Sequence, residues 1–287
     1  MEKRILHVLE GREKHITDTE VVRQSLPTIE FRFANPFVVV HHMPAKYFAP
    51  GSPEDRLRPH PHRGFSPVTF MLQGQGFHRD NAGNAMTVTA GDVQWMFAGK
   101  GILHSEGPSE EFLKEGGHYE LLQLWFNVPA AHKGEDPWYQ YVEGKDMLAV
   151  AVKAGVHLTL IGGTYEGKTG PLKNFTPITA IWGSVDAGSE ITLTATSGYW
   201  TLLYVIEGTV KVNGVAVTGY HLVVFDKEDE QSDVKVEALE NARLLYLCAE
   251  PINEPVVAKD NFVMNTPEEI EQAVSDYQNG LFGTLER

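Results

Sequence analysis

The chain is made of short apolar runs broken at close intervals by glycine, proline and asparagine. In the first half these runs are 37–40 (FVVV), 68–72 (VTFML), 85–89 (AMTVT) and 121–126 (LLQLWF). The second half repeats the style with 178–182 (ITAIW), 191–194 (ITLT), 202–206 (LLYVI), 210–212 (VKV), 221–225 (HLVVF) and 244–247 (LLYL). β-Branched and aromatic runs of this length are strands rather than helices. Many short strands at regular spacing predict an all-β sandwich or barrel. Asn81-Ala82-Gly83-Asn84 between two such runs predicts a hairpin turn, and Asn213-Gly214 predicts a second one.

The two halves also echo one another. Residues 70–74 (FMLQG) and 204–208 (YVIEG) each precede a hairpin, and 90–93 (AGDV) and 218–221 (TGYH) each lead into a strand. A shared order of strand, glycine, hairpin and glycine predicts a duplicated β unit. The Gly-, Pro- and charge-containing stretch 130–139 is the expected linker. This gives an expected boundary between 1–136 and 137–287. Only the tail reads as helical. Thr266 is the expected cap, Pro267 the first helical residue, and Glu269 completes a capping box. Ile270, Ala273, Val274 and Tyr277 then share one face, and Gly280 ends the helix.

Composition removes several classes of function. The 287 residues include one cysteine, Cys248, so neither an internal disulfide nor a cysteine-ligated zinc or iron–sulfur site is possible. There is no long apolar run and no secretory leader pattern at Met1-Glu2-Lys3-Arg4, so a cytoplasmic protein without a membrane span is expected. A net charge of −14 argues against direct nucleic-acid binding. That excess is uneven: residues 1–136 hold 14 bases and 17 acids, and 137–287 hold 10 and 21. Ten of the twelve histidines lie in the first half, so any histidine chemistry belongs there.

Two tight pairs concentrate that chemistry: His60-Pro61-His62 and His104-Ser105-Glu106. Residues i and i+2 of a strand point to one face, so each pair can aim two ligand atoms at one point. Three neutral imidazoles and a carboxylate suit one divalent transition metal: Fe(II), Mn, Co, Ni, Cu or Zn. His118-Tyr119-Glu120 is a second His-x-Glu, and spacing alone does not choose between the two. His78 is expected at the surface or behind the ligands, His41-His42 at the end of a strand near the entrance, and His118 and His132 on the surface. Phe65, Trp95 and Phe97 are candidate walls of an apolar slot.

The stretches 60–65 (HPHRGF), 91–96 (GDVQWM), 98–106 (AGKGILHSE) and 122–127 (LQLWFN) resemble the pirin family of the cupin superfamily. Residues 251–257, 262–266 and 268–270 extend the resemblance, which runs from about Asn35 to Gly280. It implies two facing antiparallel cupin β-barrels of jelly-roll type, with a short C-terminal helix. It further implies one metal, iron by expectation, in the N-terminal barrel, held by the positions that match here as His60, His62, His104 and Glu106. The C-terminal barrel of the family lacks ligands, and no His-x-His or His-x-Glu follows residue 136 in this chain. There are departures: Ser66 stands where a glutamate is usual, Phe97 where threonine is common, and His41-His42 where an acidic pair is usual.

The resemblance implies two kinds of function. One is quercetinase activity, in which O2 opens the central ring of a flavonol and carbon monoxide is released; at this site Glu106, or a water beside it, is the candidate general base. The alternative is a metal- or redox-responsive regulatory protein that binds a transcription factor or a metabolic enzyme. A monomer is expected in either case.

Overall fold

The computed structural model describes residues 1–17, 20–54, 56–227 and 232–286. Antiparallel strands dominate, with two α-helices, Glu110–Glu115 and Pro267–Gln278. The chain forms two units, but no single cut separates them. One unit is Phe37–Lys145 with Ile252–Arg287, and the other is Met1–Pro36 with Asp146–Pro251. The expected boundary after residue 136 is thus corrected. The reason is strand pairing across long sequence distances. Ile5–Glu10 pairs with His221–Phe225, which draws the N-terminus into the unit built from the second half. Trp138–Val142 pairs with Val93–Phe97, so the expected linker 130–139 lies inside the other unit. That stretch opens with a 3-10 turn, Ala130–His132.

In the unit containing the histidine motifs, the larger sheet runs Trp138–Val142, Val93–Phe97, Phe65–Gln73, Gly117–Asn127, Phe37–Phe48. The smaller one has four strands in the order His60–His62, Ile102–Pro108, Gln75–Asp80, Ala85–Thr89. The predicted turn 81–84 joins the last two. Asp80 fixes it: Oδ1 accepts from the backbone N–H groups of Ala82 at 2.9 Å and Asn84 at 3.0 Å. This is an Asx-type closure, and Gly83 takes the positive φ of 96° that the turn demands.

The other unit repeats the plan. Its four-stranded sheet runs Glu190–Ala195, Ser232–Ala238, Thr209–Val212, Val215–Thr218. Asn213 and Gly214, at φ 45° and 79°, form the predicted hairpin turn. The internal echo is also real at the level of backbone: Gly74 and Gly208 follow matching strands at φ 81° and 83°. A large hydrophobic cluster fills this unit, with Leu193, Val234 and Val236 fully or almost fully buried on strands of the smaller sheet. Among the described residues, each unit's main strands pair as a larger and a four-stranded sheet rather than one closed cylinder, with a two-stranded ribbon beside them.

The C-terminal helix forms as its sequence dictates. Thr266 Oγ1 accepts from Glu269 N at 3.2 Å, and Glu269 Oε2 accepts from Thr266 N at 3.0 Å. Ile270 and Ala273 are buried beside Leu103, Phe262 and Phe282. Tyr277, expected on the same face, is 40% exposed. The six-residue helix capped by Ser109 has no amphipathic period long enough to read from sequence. Replacing Thr266 by alanine removes the reciprocal cap. It should lower stability by about 1 kcal/mol, seen as a lower denaturant midpoint at unchanged slope.

Candidate metal centre

Strand pairing assembles the site. Ile102–Pro108 lies between two neighbours, with His104 opposite His60 on one side and opposite Asp80 on the other. Glu106 lies opposite His78. The side-chain nitrogens of His60, His62 and His104 come within 4.8 Å of one another. The ligand atoms of His104, Glu106 and His78 do the same. Three of the predicted ligands thus form one triad, and the fourth, Glu106, falls in a second triad with His78 that shares His104.

Each imidazole is held at one nitrogen. His60 Nδ1 donates to the Arg58 carbonyl at 2.9 Å, and His62 Nδ1 donates to the Asn261 carbonyl at 3.2 Å. His104 Nδ1 lies 3.5 Å from His78 Nδ1. The Nε2 atoms of His62 and His104 are buried without a hydrogen-bond partner. A buried acceptor left bare costs free energy unless something fills the need. Burial also pushes the pKa of both rings well below the ordinary histidine value, and the neighbouring histidines push the same way. These are neutral imidazoles with free lone pairs, the donor set of a borderline divalent transition metal.

Glu106 is oriented by a relay that the motif search did not contain. Trp125 Nε1 donates to Gln123 Oε1 at 3.3 Å, and Gln123 Nε2 donates to Glu106 Oε1 at 2.6 Å. Gln123 and Trp125 are two apart on one strand, as a shared face requires. A narrow recess beside Glu106 is lined by Thr69, Met71, Phe77, Gln94, Tyr119 and Leu121 among others. Of the expected walls, Phe65 packs edge-on against His62 at 5.0 Å and, tilted by 33°, against Trp125 at 4.4 Å. Trp95 and Phe97 do not line the recess. They alternate with Gln94 and pack instead on Phe126 and Trp138.

The remaining histidines separate cleanly. In the second His-x-Glu, His118 is exposed, whereas Glu120 is buried and 3.0 Å from His42 Nε2. Gln73 also donates to Glu120, at 2.7 Å. His41 and His42 lie within the strand Phe37–Phe48 rather than at its end. The ring of His41 sits 6.4 Å from Trp125. His132 is partly exposed and bonded to Glu135. His78 is not a surface residue, being 1% exposed. Ser66 is fully buried, and its hydroxyl has no partner among the described residues.

Sequence reasoning also passed over Lys133, which sits in the stretch expected to be a linker. It is 4% exposed. Its Nζ donates to the Gly64 carbonyl and Asn127 Oδ1, each at 2.6 Å, and to the Val263 carbonyl at 2.8 Å. Burial pulls its pKa down to about 7, with Glu254 and Glu269 acting the other way. Three acceptors match the three protons of an ammonium. They tie the loop after His62 to the C-terminal strand Phe262–Met264.

Comparison with known proteins agrees with this architecture. Residues 18–126 match the Pirin family, and residues 182–283 match the Pirin C-terminal cupin domain. Pirin-1 of Arabidopsis thaliana is 38% identical over 267 residues, covering 92% of this chain and 88% of its own. The chain belongs to the pirin family. A Pseudomonas aeruginosa pirin relative, 36% identical over 251 residues and 86% of each chain, carries quercetin 2,3-dioxygenase as a provisional name. The crystal structure of quercetin 2,3-dioxygenase from Acinetobacter baumannii superposes with a TM-score of 0.93 at 34% identity, covering both chains in full. The all-β bicupin fold is that of the family. No helix among the described residues is long and apolar enough to cross a membrane.

Two outcomes follow from this geometry. Lys133→Met removes three buried hydrogen bonds and should cost about 2 kcal/mol, measured by denaturant unfolding. The second concerns pH. Because the folded pKa values of His62 and His104 are lowered, the unfolded chain binds more protons below about pH 6.5. Their contribution to the stability of the metal-free protein is thus complete above that pH and is lost as pH falls. A His62→Gln, His104→Gln double variant should show a shallower decline on the acid side.

Proposed function

We propose that this pirin is a metal-dependent dioxygenase that opens the central ring of a flavonol such as quercetin. In this reading His60, His62, His104 and Glu106 hold one divalent transition ion, with Fe(II) the first to test. The observation that carries it is the pair of bare, buried Nε2 lone pairs on His62 and His104 beside an anchored carboxylate. The full-length likeness to a solved protein titled quercetin 2,3-dioxygenase supports the choice of substrate class.

When bound, such an ion supplies Lewis acidity toward a substrate hydroxyl and redox chemistry with O2. The protein supplies orientation and a proton acceptor. Glu106, with Oε1 steadied by Gln123, is the carboxylate that takes the flavonol 3-hydroxyl proton. Trp125 restrains the Gln123 side chain and so fixes which oxygen is engaged. Phe65 and Trp125 place aromatic surface beside His62. The recess is narrow for a three-ring flavonol, and Met71 is the lining side chain with the freedom to move aside.

The test is turnover. Metal-free protein is loaded in turn with Fe(II), Mn, Ni, Co or Cu, and quercetin is added under air. Loss of the flavonol absorbance with release of carbon monoxide is expected for at least one ion. Absence of turnover with all five overturns the reading. Glu106→Gln should lower kcat by at least about 100-fold.

A further inference from the structure

The first two ligand rings, His60 and His62, are fixed by backbone carbonyls, and the third is not. His104 leans on another imidazole, at 3.5 Å from Nδ1 to Nδ1. That second ring, His78, is 1% exposed, and its Nε2 lies 3.1 Å from Asp80 Oδ2. Asp80 is 4% exposed and also receives Ala82 N, Asn84 N and the Asn84 side-chain amide. Tyr139 stacks on the His78 ring at 4.8 Å and 21°. We propose that His78 and Asp80 are positioning residues that lock His104 in the tautomer and ring orientation which aim its Nε2 lone pair into the metal site.

The proton inventory supports the assignment. A carboxylate only accepts, so His78 carries its proton on Nε2 and donates it to Asp80. His78 Nδ1 is then a lone pair. It accepts from His104 Nδ1–H, which leaves His104 Nε2 unprotonated. Burial alone would raise the pKa of Asp80, but hydrogen bonds from His78 and Asn84 outweigh it and hold the carboxylate ionised. Distance alone groups His78 with His104 and Glu106 as a ligand triad. Its hydrogen bonds argue otherwise, because both of its nitrogens are already engaged. The strands explain the fit: His78-x-Asp80 faces inward from the strand next to His104-x-Glu106, in antiparallel register.

The proposal rests on the reading of the cluster as a metal site, and the experiment separates the two. Co(II) affinity is measured by competition with a chromophoric chelator, together with the visible Co(II) spectrum. His78→Phe keeps a ring against Tyr139 but removes the acceptor, and should weaken Co(II) binding roughly 10- to 100-fold. His78→Asn returns an acceptor oxygen near the Nδ1 position. It should recover affinity to within about threefold of wild type, with an unchanged spectrum. Wild-type affinity in His78→Phe overturns the proposal. So does a changed spectrum with no recovery in His78→Asn, which would make His78 a ligand. If instead His60→Ala and His104→Ala bind Co(II) as well as wild type, it is the metal-site reading that fails. A measurement on the unmodified metal-free protein stands apart from variant folding. Imidazole ¹⁵N chemical shifts should show protonated Nδ1 on His104 and protonated Nε2 on His78, and the opposite tautomers overturn the proposal.

Discussion

The strand Ile102–Pro108 carries the site because it is paired on both edges. His60–His62 binds one edge and Gln75–Asp80 the other, so three strands bring inward-facing side chains to one place. A slip of one residue on either side would turn those side chains outward. The register therefore has to be pinned, and Asn81 pins one side: its N–H donates to the Leu103 carbonyl at 3.0 Å and its Oδ1 accepts from Leu103 N at 2.9 Å. Asp80, the residue before it, closes the turn to Ala85–Thr89 with Oδ1 and reaches His78 with Oδ2.

What distinguishes the two units is chemistry rather than topology. Both have a four-stranded sheet of the same strand order. In the second unit, Leu193, Val234 and Val236 fill the space with hydrocarbon. In the first unit, imidazoles occupy the interior of the equivalent strands and are kept neutral by burial. Bare lone pairs in that setting are expensive in a fold that needed only stability. The duplicated fold supplies a scaffold, and function resides in the side chains grafted on one copy.

The fold class and the candidate cluster were legible because both rest on local patterns. Short β runs, Asn-Gly turns and a capping box are read within a few residues of one another. His-x-His and His-x-Glu are legible for the same reason, since a strand converts spacing of two into a shared face. The exchange of chain ends was not legible. Nothing local in Ile5–Glu10 specifies His221–Phe225 as its partner, because that choice is made by long-range pairing. Lys133 was hidden for a related reason: two of its three acceptors are backbone carbonyls, at Gly64 and Val263, which no side-chain motif reveals. His78 was present as a signal, with the surface and a place behind the ligands both open, and it is buried. In Gln75–Asp80 burial alternates, with Gly76, His78 and Asp80 inside and Arg79 half-buried between them. His-x-Asp thus follows the same rule as His-x-Glu. Trp95 and Phe97 were assigned to the slot by residue type, but the period of two put Gln94 there instead.

The exchange of ends has a consequence for the site. The C-terminal segment is part of the unit that holds the histidines. Its Asn261 carbonyl is the acceptor that fixes the tautomer of His62. Arg63, next in sequence, pairs with Asp276 on the C-terminal helix at 2.7 Å and lies over the Phe282 ring at 4.6 Å. Lys133 joins the two sides by holding Gly64 and Val263 together. His62 is therefore clamped from the tail, His60 by its own loop, and His104 by the adjacent hairpin. In the proposed metal site, these three anchors would preset three lone pairs and so reduce the ordering cost of binding an ion. The tail that looked like an appended helix in the sequence is one of those anchors.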